Sequence, residues 1–399
     1  MTLVTIAVPT YNRAPQITGL LECLEREIEA VPAGDVAVLV SDNASEDDTG
    51  AVLADWAATR PWLRVHRQPE NLGAAGNVRW LGANAPDSHY VWMFGDDDRL
   101  VPGSLPAVLE MLREVRPTWL FLPHNWVNLE GEVIPGSPAP DAIQRFDSAG
   151  ELWRAYHHWL TFLSASVLRA DKLREAVESV DTENLYAPLV WYFHAGLDGP
   201  CAVASRHVVL GSLDISWTDR QQVILTEHFT GLYDEILHRA MSPAEFASTL
   251  DGLYADPGLF QHWRKVPLDK FAAIVARFPE SRALHGYLFA TAREQGETTP
   301  LSTLDEAARV LGLDEQARAA VAEGEALYEA GDIAAAAQRF GEATALMPSL
   351  AAAWNDLAVV LHEMGRIPEA ITAVEAALFI APDDEDARAN RDNLLRAQA

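Results

Sequence analysis

From residue 3 to residue 122, short runs of branched apolar residues alternate with stretches of helical periodicity. That alternation restricts the fold more than any other feature of the 399-residue chain. Residues 3–8, closed by Pro9, read as a buried strand, as do 36–40, 63–66, 90–94 and 118–122. Between them, 17–28, 47–59, 73–85 and 105–115 space their apolar residues as a helix does. The order predicts an α/β fold with a doubly wound, mostly parallel sheet. Such sheets bind ligands outside the carboxyl ends of their strands. Polar clusters stand at those ends: Thr10-Tyr11-Asn12-Arg13, Ser41-Asp42-Asn43, Asn71 with Gly73, and Asp96-Asp97-Asp98 after Gly95.

Adjacent carboxylates at the end of a buried strand repel. Two unit charges about 4 Å apart cost about 4 kcal/mol at an effective dielectric of about 20. A divalent cation removes that cost, and hard oxygen donors suit Mg2+ or Mn2+; the alternative is a solvated acidic turn. Charge bears on this choice. With 58 acidic against 30 basic residues and a net charge of −28, the chain disfavours nucleic acid and anionic membrane surfaces as partners. The same imbalance would repel an anionic ligand unless cations or local arginines intervened. The two cysteines, Cys23 and Cys201, give neither a disulfide framework nor a zinc spacing, which fits a reducing compartment. No basic start precedes a long apolar core, and no apolar run approaches the ~20 residues of a membrane span, so a soluble, cytoplasmic protein is expected.

The clusters read together as VPTYNR at 8–13, SDNASEDDT at 41–49, ENLGAAGN at 70–77 and FGDDDRLVPG at 94–103. Through these motifs, residues 1 to about 215 resemble a family 2 glycosyltransferase with the GT-A fold. The resemblance implies transfer of a sugar from a nucleotide diphosphate donor, usually with inversion and with a divalent metal. Pro9, Thr10, Tyr11 and Arg13 resemble the residues that hold the nucleobase. Asp42 resembles the carboxylate that accepts from the base's ring N–H, or it caps the helix after residue 45. Asn71, Gly73 and Asn77 resemble the segment where a helix N-terminus approaches the donor. Arg79 reaches the base or diphosphate, or is a solvated helix arginine. The commoner family form is Asp-x-Asp-Asp, and Gly95 takes its first position. One alignment makes Asp97 and Asp98 the functional pair, with Asp96 as spacer; another pairs Asp96 with Asp98. Both keep Asp98 as the metal ligand. The donor base leans to uracil.

After residue 122 the pattern thins. Residues 130–141 form a loop rich in Pro and Gly, and 147–156 read as a helix. Residues 160–168 resemble the strand lining the acceptor side, with Ser164 and Ser166 as acceptor contacts or as ordinary polar strand positions. The family's Glu-Asp pair is missing; its nearest match is VDTENLYAPLVWYFHAGLDG at 180–199. Asp181 or Glu183 is therefore the expected general base, each alternatively a helix cap; His194 is a third candidate. Residues 203–210 read as a returning strand with His207 near the metal, and Trp191 and Trp217 are candidates for stacking on sugar. From 221 to 278 the pattern is mostly helical, with Pro243 at a helix start.

A second periodicity follows. Pro348 and Pro382, Gly331 and Gly365, Ala336 and Ala370, and Ala343 and Ala377 are each 34 residues apart. The spacing matches the tetratricopeptide repeat, with a weaker first copy (Ala320, Gly324, Phe340) and a polar capping helix at 384–397. The expected domains are 1–220 for the transferase, 221–314 for a helical brace and 315–399 for the repeats. The repeats suggest a peptide or protein acceptor and a homodimer formed through the tail. The competing reading is an inactive sugar-nucleotide-binding module joined to a protein-interaction tail; Gly95 and the missing Glu-Asp pair favour it.

Overall fold

The computed structural model describes residues 2–128, 130–182, 184, 186–213, 228–254 and 267–398. The chain divides into two compact units, Met1–Met241 and Ser242–Ala399. The expected boundary at residue 220 lies outside the described residues.

The first unit is built on an eight-stranded sheet. Its strands are β1 (Thr2–Thr10), β2 (Val36–Asp42), β3 (Leu63–Arg67), β4 (Ser88–Met93), β6 (Trp119–Phe121), β9 (Gln144–Phe146), β10 (Ser166–Arg169) and β11 (Cys201–Val203), in the order β3-β2-β1-β4-β10-β6-β11-β9. The first four of the five strands read from the N-terminal alternation pair in parallel. Beyond them the sheet is mixed: β10 runs antiparallel to both β4 and β6, and β9 antiparallel to β11. A second sheet, β5-β12-β7-β8, joins β5 (Arg99–Leu100), β7 (His124–Val127), β8 (Val133–Ile134) and β12 (Val209–Ser212).

The apolar runs are strands because both faces of the sheet are covered. Val4, Ile6 and Val8 of β1 share a core with Val38 and Val40 of β2 and Trp92 of β4. Helix α1 (Ala14–Ile28) buries Ile17, Leu20, Leu21 and Leu24 in that core, and α4 (Ser104–Val115) buries Leu105, Val108, Leu109 and Leu112. These are i, i+3, i+4, i+7 stripes, the spacing that keeps one helix face on a sheet. The remaining helices of the unit are α2 (Thr49–Ala57), α3 (Gly73–Asn84), α5 (Ala149–Tyr156), α6 (Ala170–Ser179), α7 (Ala187–Gly196) and α8 (Phe229–Glu235). Both cysteines are free and buried.

Two expected strands are corrected. Of residues 160–168, only the part from Ser166 onward is strand; two 3-10 turns, His157–Thr161 and Leu163–Ala165, precede it. Residues 203–210 do not form one strand. Val203 ends β11 in the large sheet and Val209 begins β12 in the small one. The apolar run misleads because Val203, Ala204, Val208 and Val209 are all buried while the chain changes sheets between them. Periodicity reports burial, not which strand edge a backbone joins.

The second unit is helical: α9 (Pro243–Tyr254), α10 (Leu268–Arg277), α11 (Arg282–Gln295), α12 (Leu301–Val310), α13 (Leu313–Glu329), α14 (Ile333–Leu346), α15 (Ala351–Glu363), α16 (Ile367–Ile380) and α17 (Glu385–Gln398). The 34-residue repeat is two helical hairpins, α13–α14 and α15–α16. Gly331 and Gly365 end their first helices with φ of 81° and 73°. At each turn the following N–H reaches back five residues, Asp332 to the Leu327 carbonyl and Arg366 to Leu361, both at 2.9 Å. This is the helix stop that a left-handed glycine permits. Helix α17 covers the end of the second hairpin by adding Ala387 and Leu394 to its core. Upstream, Ala308 of α12 packs with Ala317 and Met347, so the preceding hairpin continues the stack.

Candidate active site

The carboxyl ends of β1, β2 and β4 carry the polar clusters, and hydrogen bonds tie those clusters into one surface. Thr10 pairs with Asp42 in the β1–β2 register. Asn12, at φ 53°, turns the chain after β1; its N–H donates to Ser45 Oγ (2.9 Å), and its side-chain oxygen accepts from the Glu46 N–H (2.8 Å). The Arg13 N–H donates to Thr49 Oγ1 at 2.9 Å. The loops after β1 and β2 are thus laced together, which fixes where Tyr11 and Arg13 stand. Pro9 lies half-buried beside Ser41, and Tyr11 is 41% exposed.

Asp42 is almost fully buried. One of its oxygens accepts from the Ser45 N–H (2.9 Å) and the other from Arg67 Nη1 (3.0 Å). The same guanidinium donates to the Ser45 carbonyl at 2.6 Å. It passes over Gly50, where a Cβ would sit 2.7 Å from Arg67 Nη1. Arg67 was not singled out from sequence. It faces Asp42 across the β2–β3 register, so the signal existed only once that pairing was known.

Around the start of α3, the Asn71 side chain caps the Gly73 N–H (2.9 Å) and accepts from Asn43 (2.8 Å). Asn77 lies buried, exchanging bonds with the Ser41 hydroxyl (2.6 Å) and carbonyl (3.0 Å). Gly73 takes φ 71°, a conformation that favours glycine. Arg79 bonds the Val177 carbonyl (2.8 Å) and pairs with the exposed Asp181 (2.7 Å).

The three aspartates have three environments. Asp96 accepts from Thr10 Oγ1 at 2.7 Å. Asp97 accepts from Arg13 Nη1 at 2.9 Å, and the same nitrogen lies 3.9 Å from Asp96. Asp98 is buried, its oxygens accepting from the Ser212 N–H (2.9 Å) and the Ser164 hydroxyl. Ser164 in turn accepts from the Gly95 N–H at 2.8 Å. A Cβ at Gly95 would lie 2.7 Å from Asp98 Oδ2 and 3.2 Å from Asp97 Oδ1, so a side chain there would require those carboxylates to shift.

Burial pushes the Asp98 carboxyl up to about 7, with repulsion from Asp97 adding to it and the bonds from Ser164 and Ser212 opposing it. Burial likewise raises Asp96 to about 6, against the pull of the Thr10 hydroxyl and Arg13. Two carboxylates turned onto one guanidinium nitrogen are donors of the kind a hard divalent cation takes. Each carboxylate oxygen keeps a second lone pair, so the bonds from Ser164 and Ser212 orient Asp98 without using up its donor capacity. Among the described residues, no group of three or more His, Cys, Asp or Glu side chains is arranged to hold a metal ion.

Other candidates fall elsewhere. Glu183 and Trp217 lie outside the described residues. Trp191 is core: it is 1% exposed and its indole N–H donates to the Val180 carbonyl, which removes it as a stacking face. Ser166 accepts from the Trp119 indole at 3.0 Å, a structural role in β10. His207 Nε2 bonds the Ser137 carbonyl at 2.9 Å. His194 sits half-buried in α7, where burial lowers its basicity.

Residues 5–124 match the model of glycosyl transferase family 2, and residues 327–394 match a tetratricopeptide repeat model. Among curated proteins, the abequosyltransferase RfbV of Salmonella typhimurium is 30% identical over 109 residues, which is 27% of this chain and 32% of that protein. A dolichyl-phosphate beta-glucosyltransferase of Trichomonas vaginalis, ALG5C, is 30% identical over 79 residues, 19% of this chain and 23% of that one. The chain thus spans about a third or less of the length of these two relatives. Among solved structures, S. aureus TarS 1-349 aligns with a TM-score of 0.52 at 16% identity, over 73% of this chain and 85% of that one. The same protein in complex with UDP-GlcNAc aligns at 0.51 and 16% identity, over 75% and 93%. At that identity the likeness is one of fold, and the fold is GT-A.

Proposed function

We propose, on the premise that the N-terminal domain belongs to glycosyl transferase family 2, that this chain moves a sugar with inversion from a uridine diphosphate sugar to an acceptor. The carrying observation is the convergence of Thr10, Arg13, Asp96, Asp97 and Asp98 at the ends of β1 and β4. Tyr11 offers the base an exposed ring face, and Asp42 with Arg67 forms the polar floor beside it. Asp97 and Asp98 are the metal ligands of this reading, with Asp96 beside them. Bound Mg2+ or Mn2+ would supply Lewis-acid stabilisation of the departing diphosphate. TarS, which shares the fold, has been solved with UDP and with UDP-GlcNAc, which supports uridine in the donor.

The acceptor in this proposal is a peptide or protein recruited by the repeat tail, and a carboxylate of the 181–183 segment takes its proton. Asp181 would have to leave Arg79 to do so. The test is a panel of nucleotide sugars with and without Mn2+, read as release of nucleoside diphosphate. Release that needs Mn2+ and is lost in Asp98→Ala is expected. Asp181→Asn and Glu183→Gln identify the base, the true one losing about 100-fold or more in kcat. No release from any donor under either condition would overturn the reading in favour of a binding module.

A further inference from the structure

Next to the residues that hold Asp98 lies a group of aromatic rings that the reading above does not use. Trp126 of β7 and Phe162, between the two 3-10 turns, lie with ring centroids 4.8 Å apart, and both are half-buried. Beneath them His124 is fully buried, its centroid 4.9 Å from Trp126, 4.6 Å from Phe162 and 5.8 Å from Trp159. Burial lowers the pKa of His124 to about 3, with repulsion from His207 adding to it and a backbone contact at Leu122 opposing it. It is a neutral packing piece that supports the rings above it.

The rings are seated by a glycine. At Gly211 of β12 a Cβ would lie 2.6 Å from the Trp126 ring and 2.8 Å from Phe162. Only a residue without a side chain lets both rings rest on the β12 backbone. One residue further, the Ser212 N–H holds Asp98 Oδ1; two residues after Phe162, Ser164 holds Asp98 Oδ2. The aromatic group is therefore joined to the carboxylate on both sides: Phe162 through the turn before β10, which pairs with the edge of β4 away from β1, and Trp126 through β12 of the second sheet. Followed through these contacts, the order is Thr10 and Arg13, then the carboxylates, then Ser164 and Ser212 with the aromatic rings next to them. A nucleotide sugar has the same order: base, diphosphate, sugar.

We infer that Trp126 and Phe162 form a shelf for the pyranose ring of the donor, stacking on its C–H face while its hydroxyls face the carboxylates. The inference rests on the proposed transferase reading and adds the sugar class. In glucose and N-acetylglucosamine the ring substituents from C2 to C5 are equatorial and the C–H bonds axial, so the ring faces offer C–H bonds to an aromatic plane. Partly buried aromatic surface beside a few fixed polar groups is the usual make-up of a small-molecule site.

The test compares binding of UDP, UDP-glucose and UDP-N-acetylglucosamine to the full chain by calorimetry in Mn2+, for wild type, Trp126→Ala and Trp126→Phe. Trp126→Ala should weaken a UDP-sugar about fivefold to tenfold, with UDP itself changed less than about twofold, and Trp126→Phe should restore most of the loss. Equal weakening of UDP and UDP-sugar would mean that the ring only braces Asp98, and would overturn the shelf alone. So would unchanged binding of all three ligands, or a defect confined to the acceptor's KM. If wild type bound none of the three, the transferase reading and the shelf would fall together.

Discussion

Asp98 shows what one residue at this site demands of its surroundings. Its carboxyl is raised to about 7 chiefly by burial, so the folded protein holds a proton there that the unfolded chain releases near 4. The native state consequently loses stability as pH rises from about 4 to about 7, where the unfolded state binds fewer protons. Asp98→Asn abolishes that dependence. Without metal, its advantage in melting temperature over wild type should widen between pH 5 and pH 8, by about 2–4 °C for each ~1 kcal/mol, while turnover is lost. A constant difference across that range would contradict a buried, titrating carboxyl. Gly95 belongs to the same account. Its place before the aspartates was legible; the close approach there, a Cβ position 2.7 Å from Asp98 Oδ2, was not, because it depends on how the turn folds back.

At the level of elements, legibility followed locality. Helices α1 and α4 and strands β1 to β4 were readable because each writes its burial into neighbouring residues. Strand β10 was readable only in part: a strand is expected at 160–168, but the one formed is four residues long, begins at Ser166 and runs antiparallel between β4 and β6, a placement set by long-range pairing. The repeat hairpins lie at the readable extreme, since the glycine stop and the small packing residues recur at a fixed spacing. Gly324 is where α13 meets α14; a Cβ there would lie 2.6 Å from the buried Phe340 ring. Helix propensity alone favours Gly324→Ala by about 1 kcal/mol. Overpacking should reverse the sign, with a net loss of about 1–2 kcal/mol read as a lower thermal midpoint of the tail's unfolding. A stabilised tail would mean that the two helices can separate freely.

For the whole molecule, the net charge of −28 is the dominant long-range term. Self-repulsion of that size opposes compaction and is screened over about 10 Å at 0.1 M salt. Most ion pairs outside the site among the described residues are half-exposed arginine–carboxylate contacts, such as Arg309–Glu306 and Arg366–Glu369, and contribute little singly. Raising NaCl from about 10 mM to about 200 mM should therefore raise the melting temperature of the full chain, by about 2–4 °C for each ~1 kcal/mol of relieved repulsion. A fall would show that the surface pairs outweigh the net charge. No helix among the described residues is long and apolar enough to cross a membrane.

The amino-acid order alone set the alternation of strands and helices, the polar residues at the strand ends and the two helical hairpins of the tail. All three are expressed within a few residues of each other, where periodicity and turn chemistry act. Tertiary structure decided how the site is held: Arg67 on Asp42, 25 residues apart, and Ser164 and Ser212 on Asp98, 66 and 114 residues apart. It also decided that Trp126 and Phe162 meet over Gly211, one residue before the Ser212 that holds Asp98, while Trp191 is core. Those contacts depend on which strands become neighbours, and spatial order in a sheet is a property of the whole packed chain rather than of any stretch within it.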